Sequence, residues 1–174
     1  MIHMLAEKEV TIPEEIDRSE SLLRAVSTPS CLDDANMATQ LAFRLRDKEK
    51  DLSLSRLLYE ELKAFLKRAL RFNFKFLTPK DVTAGAVELQ ASDVNDLDEH
   101  IVLKATPTDK TPSHASIYFK NEDGTDYVGV NTTEPVDSSI LGYEMALASI
   151  VRKVYDRNGR VIWPVEKKPE ETGD

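Results

Sequence analysis

The chain has 174 residues, of which 41% are hydrophobic, and a formal net charge of −8. It contains no apolar run of the roughly eighteen residues that a membrane helix needs, and its first residues lack the layout of a secretory signal. The single cysteine, Cys31, excludes an internal disulfide, and the negative charge disfavours general binding to nucleic acid. We therefore expect a cytoplasmic protein without a membrane segment, folded as one domain with polar ends.

Residues 1–30 form an acidic segment that we interpret as an N-terminal arm. Pro13 and the two glutamates after it suit a first helical turn, because proline fixes φ and carboxylates are stabilised near the positive helix end. The spacing of Ile16, Leu23 and Val26 predicts a short helix that ends before the next proline. This arm either packs on the domain or docks on a partner.

Residues 31–165 are predicted to form a single α+β domain. Leu32–Arg46 carries apolar residues at four-residue intervals, which predicts a helix. After a charged turn, residues 52–57 alternate apolar and polar side chains as a half-buried strand does. A second helix is predicted over residues 59–72, where apolar side chains recur at three- and four-residue spacing.

The outer side of this second helix is basic. Lys63, Lys67 and Arg71 come at successive turns, with Arg68 and Lys75 close by. Such a row is commonly a solvated face, and its functional interpretation is a docking site for an acidic partner or for nucleic acid. The phenylalanines at positions 72, 74 and 76 either stack on bases or alternate into the core as a strand.

Residues 82–91 have the composition of a further strand, in which Gly85 marks a bulge or a point of close approach. The acidic segment 92–99 superficially matches a calcium loop. Asp98, however, replaces the glycine of the sharp turn, and Lys104 falls at the closing ligand position. We interpret the segment as a connection between strands and predict no metal site.

Two strand-like runs, 100–105 and 113–119, flank a loop bounded by prolines. One face of these strands is apolar and contains Ile101, Leu103, Ala105, Ala115, Ile117 and Phe119. Because side chains alternate along a strand, His114, Ser116 and Tyr118 project onto the other, wetter face. His114 then lies at the mouth of the loop, where it either fixes the loop backbone or takes part in binding or acid–base chemistry.

Leu54-Ser55-Arg56 and Pro112-Ser113-His114-Ala115, the latter followed by Ile117, resemble a pattern of small uncharacterised bacterial proteins. In those proteins a Ser-hydrophobic-x-Arg segment leads into a helix, and a late Pro-x-His-Ala-x-Ile segment closes the sheet. The resemblance spans residues 52–119 and carries no established activity. This chain departs from the pattern because a long helix-forming segment follows its His-Ala strand.

The C-terminal third begins with an Asp-Gly turn at residues 121–124, which predicts a returning strand over Tyr127–Val130. Asp137 or Ser138 caps a long predicted helix, and Asn158-Gly159 is interpreted as its C-terminal end. Residues 161–163 are either a last edge strand or a hydrophobic latch. The polar residues 166–174 are predicted to be a disordered tail.

These elements predict an α+β fold in which a small antiparallel sheet is covered on one face by two helices, with a helical N-terminal arm. The sequence has no glycine-rich phosphate loop, Cys-x-x-Cys pair, His-Glu-x-x-His motif or Gly-x-Ser-x-Gly motif. No cofactor is therefore predicted.

Three functions remain open. The first is a non-catalytic accessory subunit of a bacterial complex. The resemblance suggests that such a subunit is encoded on a mobile or defence island. It would bind a protein partner or a second copy of the chain through Lys63, Lys67, Arg71 or Trp163. The second is a small enzyme with His114 as general acid or base, assisted by Ser113, Ser116, Tyr118, Asp109 or Asp126. The third is a nucleic-acid-binding module on the basic helix face.

Overall fold

The computed structural model describes residues 11–71, 80–130 and 137–165, and it has an α+β architecture. The strands are β1 (Ser21–Thr28), β2 (Leu52–Arg56), β3 (Val82–Gln90), β4 (Ile101–Ala105), β5 (His114–Phe119), β6 (Lys153–Asp156) and β7 (Val161–Trp163). The helices are α1 (Leu62–Arg71), α2 (Ala91–Asn95) and α3 (Ser138–Ser149), with a 3-10 turn over Gln40–Phe43. The strands form one sheet in the order β4-β5-β2-β1-β3-β6-β7, and all neighbours are antiparallel.

The sheet is covered on both faces. Leu22 belongs to the larger buried cluster, which contains Ile140 and Leu147 of α3. The next residue, Leu23, belongs to a second cluster, which contains Phe65 and Leu66 of α1. Because neighbouring side chains of a strand point to opposite faces, α1 and α3 lie on opposite sides of the sheet. The prediction that both helices cover one face is therefore wrong.

The predicted helix in the N-terminal arm is also wrong over residues 21–28, which form β1. This strand lies at the middle of the sheet, between β2 and β3. Leu22 and Leu23 are both fully buried, each on its own face. A strand that is buried on both faces has a continuous apolar run, so the alternation that identifies a half-buried strand is missing.

The helix predicted over Leu32–Arg46 does not form. The Asp33 carboxylate accepts hydrogen bonds from the backbone N–H groups of Ala35 and Met37, and the Thr39 hydroxyl caps the 3-10 turn. Short polar side chains that bind nearby backbone groups compete with helical hydrogen bonds. The segment is therefore a loop that packs its apolar residues on the α3 side of the sheet.

Several local predictions are confirmed. Strands β2, β3, β4 and β5 form where the alternation places them, and α1 forms within the predicted range. Gly85 is a point of close approach, because a Cβ atom there would lie 1.8 Å from the Tyr155 carbonyl oxygen. Two predicted features lie outside the described residues. They are the segment 72–76, with its three phenylalanines and Lys75, and the tail 166–174.

The C-terminal region folds differently from its prediction. Asp137 caps α3 as expected, but the helix ends at Ser149 rather than at Asn158-Gly159. That residue pair instead forms the turn between β6 and β7, where Gly159 has a φ of 80°. Asn-Gly suits a hairpin turn as well as a helix end, and the apolar residues at 151 and 154 fit both patterns. Residues 161–163 form the predicted edge strand, whereas 127–130 form no strand.

A buried ion pair connects β2 with the segment that precedes β1. The Arg56 guanidinium lies 2.6 Å from the Glu20 carboxylate, and the two side chains are only 1% and 5% exposed. Arg56 also donates to the carbonyl oxygens of Pro13 and Glu15. The N–H groups of this one guanidinium therefore donate hydrogen bonds to three residues that precede the central strand.

Arg56→Met should lower the free energy of unfolding by about 3–5 kcal/mol, because it leaves the Glu20 carboxylate buried without its partner. Urea denaturation measures this loss. Arg18→Met is the control, since its ion pair with Asp96 is more than half exposed and such pairs contribute about 1 kcal/mol or less. Equal losses in the two variants would contradict the structural role of Arg56.

A second buried acid, Glu144, lies on the inner side of α3 and is 1% exposed. Its Oε2 atom has no hydrogen-bond partner in the described part of the chain. Burial raises the pKa of Glu144 to about 7, and the positive charge of Arg44 opposes that rise. The folded protein therefore holds this carboxyl in its protonated form below neutral pH.

The folded-state pKa of Glu144 lies above its ordinary value of 4.5, so ionisation opposes folding. The free energy of unfolding should fall as pH rises from about 4.5 to about 7, by on the order of 3 kcal/mol. Glu144→Gln should remove most of this slope and stabilise the protein at pH 8. Glu122→Gln, at an exposed position, should leave the slope unchanged. Chemical denaturation across this pH range measures both.

Candidate functional site

The candidate site is a gap between the two central strands. Pairing of β1 with β2 extends only over Leu22↔Arg56 and Leu23↔Ser55, whereas β1 pairs with β3 along its whole length. Beyond Leu23 the strands separate, and Arg24 reaches across the gap. Its guanidinium donates to the carbonyl oxygen of Ser53 on β2 at 3.1 Å and to that of Ala42 at 2.6 Å.

A cavity of about 140 Å³ lies at this gap, beneath α1. Its walls come from β1, β2, β5, α1 and the loop before β2. They are formed by Arg24, Ala25, Arg46, Glu49, Asp51, Ser53, Leu54, Phe65, Arg68, Ala69 and His114. Charged and polar side chains from five separate segments therefore converge on one small cavity.

Two of the arginines are close enough to repel one another. Burial, and then the charge of Arg46, lower the pKa of Arg24 to about 10, so Arg24 is still protonated at neutral pH. The Arg46 side chain makes no ion pair or hydrogen bond with the described residues. An anion placed between the two guanidiniums would relieve this repulsion.

Two carboxylates line the same cavity. Glu49 accepts a hydrogen bond from the backbone N–H of Arg46, at 2.8 Å, which holds the loop before β2. Asp51 lies one residue before β2. Carboxylates accept hydrogen bonds from hydroxyl and amino groups, so the cavity presents acceptors as well as cationic donors.

Arg68 is held by a structural partner. Its guanidinium forms two hydrogen bonds with the Glu60 carboxylate, at 2.9 and 2.8 Å, and the hydroxyls of Ser55 and Ser113 donate to the same carboxylate. Burial acts to raise the pKa of Glu60, but these hydrogen bonds outweigh burial and lower it. Ser113 is therefore part of this network and does not contact His114 through its side chain.

The known contacts of the His114 ring involve one of its two nitrogens. Its Nδ1 atom lies 3.0 Å from the carbonyl oxygen of Thr106 and 2.8 Å from the Thr106 hydroxyl. A carbonyl oxygen only accepts, so Nδ1 carries a proton, and in the neutral ring Nε2 is the free acceptor. His114 therefore holds the loop, as one interpretation of the sequence expects, and it also lines the cavity.

The other residues proposed to assist His114 lie elsewhere. Ser116 is fully buried and its hydroxyl contacts Thr106. Tyr118 lies beneath the Lys104 ammonium group, and Asp126 pairs with Lys120. None of these three, nor Asp109, lines the cavity.

The basic residues of α1 form a different surface. Lys63, Lys67 and Arg71 are exposed and line an open groove of about 390 Å³ with Leu66, Leu70, Arg157 and Asn158. Trp163 is not part of this groove, because it lies on β7 and packs against the larger core cluster. We refer to this surface as the basic groove.

Sequence reasoning missed Arg24 and Arg46. Arg24 stands inside the apolar run of residues 22–26, and a charge in such a run is a signal of a special role. Arg46 has no local signal, since it lies in a charged loop.

Within residues 11–71, 80–130 and 137–165, no group of three or more His, Cys, Asp or Glu side chains could hold a metal ion. None of the helices in these ranges is long and apolar enough to span a bilayer. Comparisons with protein-family models, curated proteins and solved structures found no match to this chain.

Proposed function

We propose that this protein is a small enzyme that binds an anionic small molecule in the cavity between β1 and β2, with His114 as its proton-transfer group. The observation that carries the proposal is that Arg24, Arg46 and the imidazole of His114 line one cavity although they come from three separate segments. A structural histidine needs only its loop contacts. The additional cationic side chains supply the means to bind a negatively charged ligand beside it.

The His114 ring suits general base catalysis. The Thr106 carbonyl holds the Nδ1 proton, so Nε2 can accept a proton from a ligand hydroxyl or from a water molecule. The arginines would hold the anionic part of the ligand while the hydroxyl lies against the ring. Arg24 is half-buried, so water screens its interaction with an anion less than it would at a fully exposed position.

Arg46→Gln should weaken the binding of small anions about tenfold or more, because a hydrogen bond to a charged group contributes about 1.5–3 kcal/mol. Isothermal titration calorimetry with ribose 5-phosphate and with ribonate, which span phosphate and carboxylate ligands, measures this loss. Arg71→Gln is the matched control, because it removes the same charge from the basic groove. Equal losses in both variants, or no anion binding by the wild type, would show that the cavity is not the site.

The proton-transfer role predicts that a bound anion with hydroxyl groups changes the ¹⁵N resonances of the His114 ring, as measured by long-range NMR correlation. His100 is an internal control, since its Nδ1 is held by Asp98 away from the cavity. Ligand binding that leaves the His114 ring unchanged would contradict the role.

The basic groove supports the interaction subunit as a second candidate function. Leu70 is 45% exposed between Lys67 and Arg71, so the groove combines an apolar contact with positive charge. Such a surface suits an acidic protein segment that carries an apolar side chain. Nucleic acid is the less suitable partner because the net charge of −8 repels phosphate at long range.

The double substitution Lys67→Glu with Arg71→Glu should abolish a stoichiometric protein complex that the wild type forms in native lysate. Affinity capture followed by native mass spectrometry measures the complex. The control is Lys80→Glu with Lys110→Glu, which makes the same charge change at exposed positions outside the groove. A wild type that is recovered alone, or a complex that survives in the first variant, would remove this candidate.

A further inference from the structure

We infer that the cavity between β1 and β2 takes the phosphoryl group of a phosphorylated sugar, bound by backbone N–H groups that the separated strands leave without partners. This inference rests on the proposed function and specifies its ligand. It follows from a property of antiparallel sheets: successive residues of a strand direct their backbone N–H and C=O groups to opposite neighbouring strands.

The alternation on β1 can be followed from its pairing with β3. Glu20 accepts from Ala91, so the even-numbered residues of β1 direct their backbone N–H and C=O groups toward β3. The odd-numbered residues direct theirs toward β2, as the hydrogen bond from the Leu57 N–H to the Ser21 carbonyl shows. Ala25 therefore directs its N–H and C=O groups into the gap.

The same alternation holds on β2. The Arg56 N–H donates to the Ser113 carbonyl, so Arg56 and Leu54 direct their backbone groups toward β5, and Ser53 and Ser55 direct theirs toward β1. Continued pairing would place Ala25 opposite Ser53, but the ladder stops at Leu23↔Ser55. Arg24 takes the Ser53 carbonyl, and by this alternation the N–H groups of Ala25 and Ser53, together with the Ala25 carbonyl, face the gap at the cavity that both residues line.

Unpaired backbone N–H groups beside guanidinium groups form a cradle for an oxyanion. By the alternation above, the cavity offers two such N–H groups beside the guanidiniums of Arg24 and Arg46, and the Ala25 carbonyl is left to accept from a ligand hydroxyl. A phosphoryl group has three terminal oxygens and a charge near −2 at neutral pH, so it can accept from all four donors. A carboxylate has two oxygens and one charge, and would leave part of this donor set unused.

Glu49 and Asp51 define the rest of the ligand. They line the same cavity as acceptors of hydrogen bonds, and their charges disfavour any anionic group beyond the one that Arg24 and Arg46 bind. Hydroxyl groups can donate hydrogen bonds to these carboxylates without adding charge to the ligand. A ligand with one phosphoryl group and several hydroxyls, which is the chemistry of a sugar phosphate, fits both sets of side chains.

The experiment follows backbone amide resonances of the full chain by ¹⁵N–¹H NMR while ribose 5-phosphate is added. The resonances of Ala25 and Ser53 should move downfield and saturate together with those of the His114 ring. Leu23 and Ser55 are internal controls, because they direct their N–H groups the same way but are paired. Ribonate, which carries the hydroxyls with a carboxylate in place of the phosphate, should bind at least tenfold more weakly and leave both amides unmoved.

Ala25→Pro removes one of the two donors without the loss of a bond to β3, because Ala25 directs its N–H away from that strand. It should weaken ribose 5-phosphate binding about tenfold, whereas Ala25→Gly, which keeps the N–H, should bind as the wild type does. If Ala25→Pro does not fold, the amide shifts of the wild type still decide the matter.

The outcomes separate the inference from the proposed function. Ribonate that binds as tightly as ribose 5-phosphate, or binding of ribose 5-phosphate that leaves the Ala25 and Ser53 amides unmoved, would overturn the phosphoryl site but keep the anion site beside His114. If neither ribose 5-phosphate nor ribonate binds, both the phosphoryl site and the proposed anion site are overturned.

Discussion

The short ladder between β1 and β2 is the constraint on which the rest of the structure depends. These strands lie at the middle of a seven-stranded sheet, yet they pair over only two positions. Two arginines act at the two ends of that ladder. Arg56 is buried at the closed end and binds Glu20, whereas Arg24 lies at the open end and binds the carbonyl that β1 no longer reaches. The sheet stays continuous because β1 is fully paired with β3 on its other side.

Most buried polar groups on the α1 side of the sheet are used by the fold itself. Glu88 accepts from the hydroxyls of Ser21 and Tyr155, and burial together with Glu88 raises the pKa of that tyrosine. Glu60 accepts from Arg68 and Ser55 in the same way. Buried polar groups need partners, and these networks supply them. The Arg46 side chain and the His114 ring are different, because both line the cavity and no residue in the described part of the chain pairs with the Arg46 side chain.

The parts of the fold that the sequence predicts are those decided by neighbouring residues. The alternation of β5 and the Asp137 cap of α3 have local causes, whereas Gly85 is marked by its residue type alone, because the atom that approaches it is the Tyr155 carbonyl oxygen of another strand. The errors fall where tertiary context decides between two local readings. Burial on both faces hides the period of β1, and pairing with β3 makes residues 153–156 a strand rather than the end of a helix.

The candidate site was predictable only in part, for a related reason. His114 was identified because it stands at the start of an alternating strand. Its charged neighbours in the cavity come from positions 24, 46, 49, 51 and 68, and no spacing in the sequence brings these together with His114. They meet because β1 and β2 separate after only two paired positions. That separation is a property of the sheet, and it can be inferred only once the partners of each strand are known.

The gap carries a cost that a purely structural sheet would avoid. Two backbone N–H groups without partners in the middle of a sheet lose hydrogen bonds that continued pairing would supply. Arg24 takes one carbonyl of that ladder, but its half-buried charge then lies near the charge of Arg46. An oxyanion in the cavity, as proposed above, would relieve each of these unfavourable features. That all of them meet at a single point that His114 also lines is the physical basis of the proposal.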